Sequence, residues 1–137
     1  MNDAIYLDMK GHIDIYNGDE IIFSDKNMIT KDAIIVIINS LNTTNPTLGC
    51  LGITHLMVKV GNQIINKQIT ETVINDIENS ITFTTILVEN DFNGNINELY
   101  LMCLPLDKTF SSKTGLNITK DGNMRLKINW KITINTA

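Results

Sequence analysis

The sequence predicts a mainly β protein: an antiparallel β-sandwich of about seven or eight strands with one short helix, in a single domain spanning residues 1–137. Three observations carry this. An unbroken apolar/polar alternation runs from Met124 to Ile134. Turn dipeptides such as Asn17-Gly18, Gly61-Asn62 and Asp121-Gly122 punctuate the chain at short intervals. Only one segment, Lys31 to Leu41, has its apolar residues at helical spacing.

The Met124–Ile134 segment is the clearest element. Met124, Leu126, Ile128, Trp130, Ile132 and Ile134 alternate with Arg125, Lys127, Asn129, Lys131 and Thr133. A helix would scatter those six apolar side chains around its circumference, whereas a strand places them all on one face. Near the start, Ile13 and Ile15 alternate with His12, Asp14 and Tyr16, and Asn17-Gly18 follows. Asn-Gly suits the two positive-φ positions of a type I′ turn, which predicts a hairpin with a return strand over Asp19–Ser24.

In Lys31–Leu41, β-branching favours a strand. The helical reading has more support. Thr30 suits an N-cap, Asp32 suits a first turn, and Ile34, Ile37, Ile38 and Leu41 fit an i, i+3, i+4, i+7 stripe. This helix is expected to plug one side or end of the sheets. Asn42 to Cys50, with Pro46 and Gly49, reads as a loop. Ile53–Val60 reads as a strand with Leu56, Val58 and Val60 on one face. Asn66–Asn79 reads as a long connection holding one short strand near Thr72–Asn75. Ser80–Glu89 and Glu98–Leu104 read as strands paired in a hairpin through Asn93-Gly94-Asn95. Pro105–Thr114 reads as loop, and Leu116–Thr119 as a short strand.

Composition excludes several function classes. Net charge is −4, so no positive excess exists to displace counterions from nucleic acid or to hold a polybasic contact with a membrane. The longest uncharged apolar run, Ala33 to Leu41, is far short of the roughly 20 residues of a membrane-spanning helix. Asp3, Asp8 and Lys10 interrupt any signal-peptide core, so no leader is expected. Ile occurs 23 times and Asn 18 times, a bias that suggests an AT-rich genome. Cys50 and Cys103 read as two small buried thiols before a disulfide.

Reactive groups are sparse. His12 and His55 each lie in an alternating strand, and no paired-ligand motif for zinc is present. A site assembled from His12, His55, Cys50 and Cys103 would need the fold to collect them. No nucleophile elbow or phosphate loop occurs, and Ser111-Ser112 reads as loop filler. Asp19-Glu20 and Asp76 to Glu78 read as solvated surface. Asp91, Asn93 and Asn95 around Gly94 resemble part of a calcium loop but fit a turn better, because the glycine is misplaced and no closing Glu follows. Arg125, Lys127 and Lys131 form a basic row that reads as edge protection. Trp130, on the apolar face, reads as core and not as a sugar platform. No catalytic, cofactor-binding or metal-binding residue is therefore assigned, and no cofactor is expected.

Several short segments together resemble a known family. They are Lys10-Gly11-His12-Ile13-Asp14-Ile15-Tyr16, Lys26-Asn27-Met28-Ile29-Thr30, Gly52-Ile53-Thr54-His55-Leu56-Met57-Val58-Lys59-Val60-Gly61-Asn62, and Leu126-Lys127-Ile128-Asn129-Trp130-Lys131-Ile132. The chain resembles the small structural proteins of tailed-bacteriophage virions, whose pattern starts with Gly-His and closes with an L-x-I-x-W-x-I strand. It departs from that pattern at Val58–Gly61 and in the polar stretch Asn66–Asn79. The resemblance implies a non-enzymatic virion subunit of the tail, neck/collar or head-attached fibre apparatus, assembled in the host bacterial cytoplasm. It implies a ring or trimer of copies that also touches other virion proteins, without nucleic acid or membrane as partner. Ile128 and Ile132 would then hold the fold, and Met57 would lie at a subunit contact. The competing reading is a carbohydrate- or protein-binding β-sandwich module; an enzyme is the least supported.

Overall fold

A computed structural model of the chain describes residues 7–41 and 52–136. The protein is mainly β with one short helix. Its strands are β1 (Leu7–Asn17), β2 (Glu20–Ile29), β3 (His55–Val60), β4 (Gln63–Gln68), β5 (Glu71–Asn75), β6 (Ser80–Leu87), β7 (Gly94–Cys103), β8 (Lys108–Lys113), β9 (Ile118–Lys120) and β10 (Leu126–Thr136). Helix α1 spans Ala33–Ser40, and a single 3₁₀ turn spans Leu104–Leu106.

All strand pairings are antiparallel and form one curled, half-barrel sheet in the order β4-β3-β7-β8-β2-β1-β10-β6-β5, with β9 attached to β7. The strand count is thus ten, not seven or eight. Two crossings make the curl. β2 pairs with β1 from Glu20 to Asn27, then leaves it to pair Met28 and Ile29 with Ser112 and Ser111 of β8. β4 and β5 stand at opposite ends of the order yet follow each other in the chain. Only Ile69 and Thr70 separate them: Ile69 N–H donates to Thr54 O at 3.1 Å, and Thr70 N–H to Thr84 O at 2.8 Å.

Period-two alternation fixes the core. Ile13 and Ile15 of β1, Leu126, Ile128, Trp130 and Ile132 of β10, and Phe83 and Leu87 of β6 line one half. Leu56 and Val58 of β3 with Ile96, Leu99 and Leu101 of β7 line the other, and the two sets form one buried cluster. Each fully buried aliphatic side chain contributes about 1.5–3 kcal/mol relative to exposure. A one-residue slip of any of these strands would turn its whole set to water.

Several expectations need correction. The first hairpin closes on Gly18-Asp19, since Asn17 pairs with Glu20. Only Gly18 has positive φ (63°), so a type I′ turn is not formed. Gly61 (φ 60°) occupies the same first loop position in the β3–β4 hairpin, where Val60 pairs with Gln63. β4 lies partly inside the segment read as a connection. β7 is not the hairpin partner of β6; it pairs with β3, β8 and β9. β8 replaces the loop expected over Pro105–Thr114, and Ser111 within it is fully buried, its hydroxyl donating to Met28 O at 2.8 Å.

The helix forms where expected, with a different start and a different face inward. Asp32, not Thr30, is the N-cap residue and makes no side-chain cap. The Thr30 hydroxyl instead reaches Thr109 O, and its N–H donates to Phe110 O at 3.0 Å, tying the end of β2 to β8. Ala33 and Val36 are the buried helix residues, whereas Ile34, Ile38 and Leu41 are 59%, 62% and 76% exposed. The loop expected over Asn42–Cys50 lies outside the described residues, as does Cys50 itself.

Lys120 is wholly buried. Its ammonium donates to the carbonyls of Glu89 (3.3 Å), Phe92 (3.4 Å) and Asp121 (3.3 Å) and lies 5.1 Å from the centre of the Phe92 ring. The crossing from β6 to β7 folds around this charge, because a buried ammonium without acceptors would be prohibitively costly.

Candidate functional site

Two surfaces stand out: a polar outer face across β2, β1 and β10, and an apolar mouth where α1 meets the ends of β1 and β10.

Alternation sends His12, Asp14 and Tyr16 outward, and register places partners beside them. Lys26, His12 and Lys131 form one cross-strand row; Ser24, Asp14, Asn129 and Thr84 form the next. His12 Nε2 lies 3.1 Å from Asp14 Oδ1 and 2.9 Å from Ser24 Oγ, and the Ser24 hydroxyl donates to Asp14 Oδ1 at 2.6 Å. These three residue types suggest a nucleophilic triad, but the geometry is wrong for one. Asp14 and Ser24 share a single imidazole nitrogen, whereas a proton relay needs them on opposite nitrogens. The serine proton is also committed to the carboxylate.

The basic row of the last strand is engaged on this sheet. Arg125 faces Glu89 at 3.7 Å, Lys127 lies 4.9 Å from the Tyr16 ring centre, and Lys131 meets Glu78 at 2.6 Å. Glu78 is held below the usual carboxylate range, first by its hydrogen bond with Lys131. On the other half, Tyr100 donates to Glu98 at 2.8 Å and Lys59 meets Glu98 at 3.0 Å. The Tyr100 hydroxyl is pushed up to about 12, by burial first and by Glu98 second.

At the mouth, Met9, Ile34, Ile37, Ile38 and Ile134 line an apolar cavity of about 400 Å³. A second cleft of about 230 Å³ shares Ile134 and is lined further by Ile74, Ile81 and Ile132. Edge strand β5 is exposed along its length, with Ile74 at 69%, and Ile77 beyond it is 96% exposed. The helical stripe read from the sequence as core is therefore mostly surface.

The remaining candidates are dispersed. His55 lies on β3, with three strands between it and β1 in the sheet order, and its Nδ1 is 2.8 Å from Thr54 Oγ1. Cys103 is buried at the end of β7, so His12, on the outer face of β1, is not brought to it. Among the described residues no group of three or more His, Cys, Asp or Glu is placed to hold a metal. Asp91 caps the turn after β6 by accepting from Val88 N–H at 2.8 Å, and it pairs with Lys67 of β4 at 3.0 Å. Trp130 is buried, which removes it as a sugar platform. Met57 is half-buried, less available for a contact than expected. The His12–Asp14–Ser24 cluster escaped the sequence reading, although two residues' spacing in a strand already puts His12 and Asp14 on one face. Lys120 escaped it altogether, because a lysine in a short strand carries no signal of burial.

No protein-family model matches the chain, no curated protein matches it, and no solved structure matches it.

Proposed function

We propose that the chain is a non-enzymatic structural subunit of a tailed-bacteriophage virion, a component of the tail, neck/collar or head-attached fibre apparatus. It acts by contact with copies of itself and with other virion proteins. In this reading the curled sheet serves as a β-sandwich whose open end is the assembly surface. The observation that supports it is exposed apolar surface: Ile34 and Ile38 at the mouth, and Ile74 and Ile77 on and just beyond edge strand β5, are each more than half exposed on a small acidic domain. Exposed apolar side chains of this kind are what subunit contacts cover. The specific virion assignment rests on the sequence resemblance.

Sedimentation or light scattering of the full chain across a concentration series tests the reading. A closed oligomer is expected, and Ile38→Lys should dissociate it without unfolding the subunit. A strict monomer at tens of micromolar, together with failure to co-purify with any virion component, would overturn it. The carbohydrate-binding alternative draws no support from Trp130, which is buried in the core.

A further inference from the structure

We propose that the free edge of β5 pairs, antiparallel and about a two-fold axis at Val73, with the β5 edge of a second copy of the chain. This contact rests on the assembly reading above and gives it a specific geometry. β5 ends the strand order and, among the described residues, pairs only with β6. Ile134 N–H donates to Asn79 O at 2.9 Å, so Asn79 and, by alternation, Ile81 and Phe83 turn their peptide groups to β10. Thr84 O instead accepts from Thr70 N–H at 2.8 Å, so Thr84, Thr82 and Ser80 turn theirs to β5. Their partners Glu71, Val73 and Asn75 are thereby satisfied. The N–H and C=O of Thr72 and Ile74 point out of the sheet edge, and nothing among the described residues meets them.

One register satisfies these groups with a second β5. Thr72 stands opposite Ile74 of the second copy, and Ile74 opposite its Thr72, so each N–H donates to the facing C=O in both directions. Val73 then faces Val73 across the axis, and Glu71 faces Asn75. No like charges oppose each other, and both faces carry β-branched cross-strand pairs, which are favourable. Centring the axis on Thr72 would set Ile74 against Thr70, and centring it on Ile74 would set Thr72 against Asp76; both partners lie outside the strand.

Burial and composition point to the same edge. Thr72 and Ile74 lie on the face of Phe83 and Ile81, which is the inner one. Ile74 is nonetheless 69% exposed, beside the cleft lined by Ile81, Ile132 and Ile134. A second β5 extends that inner face past Ile74, and on the outer face it covers Val73, itself 51% exposed. β5 has neither Lys nor Pro, the residues that commonly blunt an edge. The opposite edge, β4, carries Lys67, tied to Asp91 at 3.0 Å. The β5 contact is small, so it acts together with the mouth and not in its place.

Cross-linking of the full chain is the test. A non-hydrogen-bonded pair brings its Cα atoms to about 4.5 Å, within disulfide range. With oxidised glutathione, Val73→Cys should form a disulfide-linked dimer above the level of the unsubstituted chain, and Glu71→Cys should not. Thr72→Pro keeps the β6 ladder, because the Thr72 N–H points away from it, but takes the outward donor from both copies. In the Val73→Cys background it should cut cross-linking about tenfold or more. Amide hydrogen exchange reads the same contact without a new cysteine. Thr72 and Ile74 should gain protection as concentration rises, while Val73 is protected throughout. Equal cross-linking of Val73→Cys and Glu71→Cys, none above the unsubstituted chain, or Thr72 and Ile74 amides indifferent to concentration would each overturn the contact. An oligomer that Ile38→Lys dissociates but Val73→Cys does not cross-link overturns the β5 contact alone and leaves the assembly reading standing. A chain that neither oligomerises nor cross-links overturns both.

Discussion

The crossing of β2 from β1 to β8 depends on one small residue, and a double-mutant cycle can measure it. A Cβ added at Gly11 would overlap the Oδ1 and Nδ2 of Asn27 and sit 2.6 Å from its Cγ. Asn27 is the last β2 residue paired with β1, opposite Gly11, and its Nδ2 donates to Ser111 Oγ of β8. Gly11→Ala therefore has two opposed effects. Alanine in a strand gains about 0.5–1 kcal/mol over glycine. Overpacking costs about 1–3 kcal/mol, and displacing the Asn27 amide loses a hydrogen bond worth about 1 kcal/mol. The net expectation is destabilisation by about 1–3.5 kcal/mol. Asn27→Ala alone should cost less than about 1 kcal/mol. The Ser111 hydroxyl keeps Met28 O at 2.8 Å, and a buried Oδ1 without a partner is removed. In the double variant the new methyl meets empty space, so only the intrinsic gain of alanine remains. The double variant should be at least as stable as Asn27→Ala, giving a coupling of roughly 2 kcal/mol. Urea unfolding followed by the fluorescence of Trp130, the single tryptophan and a buried one, provides the assay. Additivity within about 0.5 kcal/mol would refute the packing argument for Gly11.

Two further outcomes are expected. Lys120→Met should destabilise the fold by about 2 kcal/mol in the same assay, because it strips a charged donor from three carbonyls, two of them (Glu89 and Phe92) in the β6–β7 crossing; an unchanged midpoint would mean those carbonyls find water readily. In an alkaline absorbance titration one tyrosine step should appear only near 12 and vanish in Tyr100→Phe. Since the folded state holds that proton more tightly, the stability it contributes is fully present below the ordinary tyrosine value of 10.0 and is lost as pH rises toward about 12.

Strand faces were legible in the sequence and strand partners were not. Alternation in β1 and β10 named Ile13, Ile15, Ile128 and Trp130 as inward, because a half-buried strand must repeat every two residues. Pairing is a long-range choice, and nothing local in Gly94–Cys103 says that it joins β3 and not β6. β4 was missed because an edge strand with only Ile65 and Lys67 half-covered has no apolar face to reveal it. The helix shows the converse error. Its stripe of Ile34, Ile37, Ile38 and Leu41 satisfied the core pattern, yet Ala33 and Val36 pack inward. The exposed Ile34, Ile38 and Leu41 are the part of the stripe that the proposed assembly contact would cover.

The contrast between the two surfaces gives the assembly reading its direction. On the outer face nearly every charge already has a partner: Asp14 with Ser24, Glu78 with Lys131, Lys127 with Tyr16. Burying that face would strip water from these pairs, and the desolvation cost can exceed the Coulombic return. At the mouth and along β5 the balance is reversed. Covering Ile34, Ile38, Ile74 and Ile77 returns about 1.5–3 kcal/mol for each side chain fully buried. Against this stands the lost freedom of association, on the order of 4–15 kcal/mol. A single pairwise contact of four such residues barely offsets that cost. A closed ring or trimer, in which every subunit uses the surface and adjoining contacts form together, offsets it more securely. The same arithmetic separates assembly from stability. Ile38 is 62% exposed, so Ile38→Lys removes little from the folded subunit, within about 0.5 kcal/mol. It places a charge where the contact must be dry. A variant that keeps its urea midpoint and loses its oligomer is the expected signature, and a loss of both together would mean that α1 belongs to the core of the subunit and not to its interface.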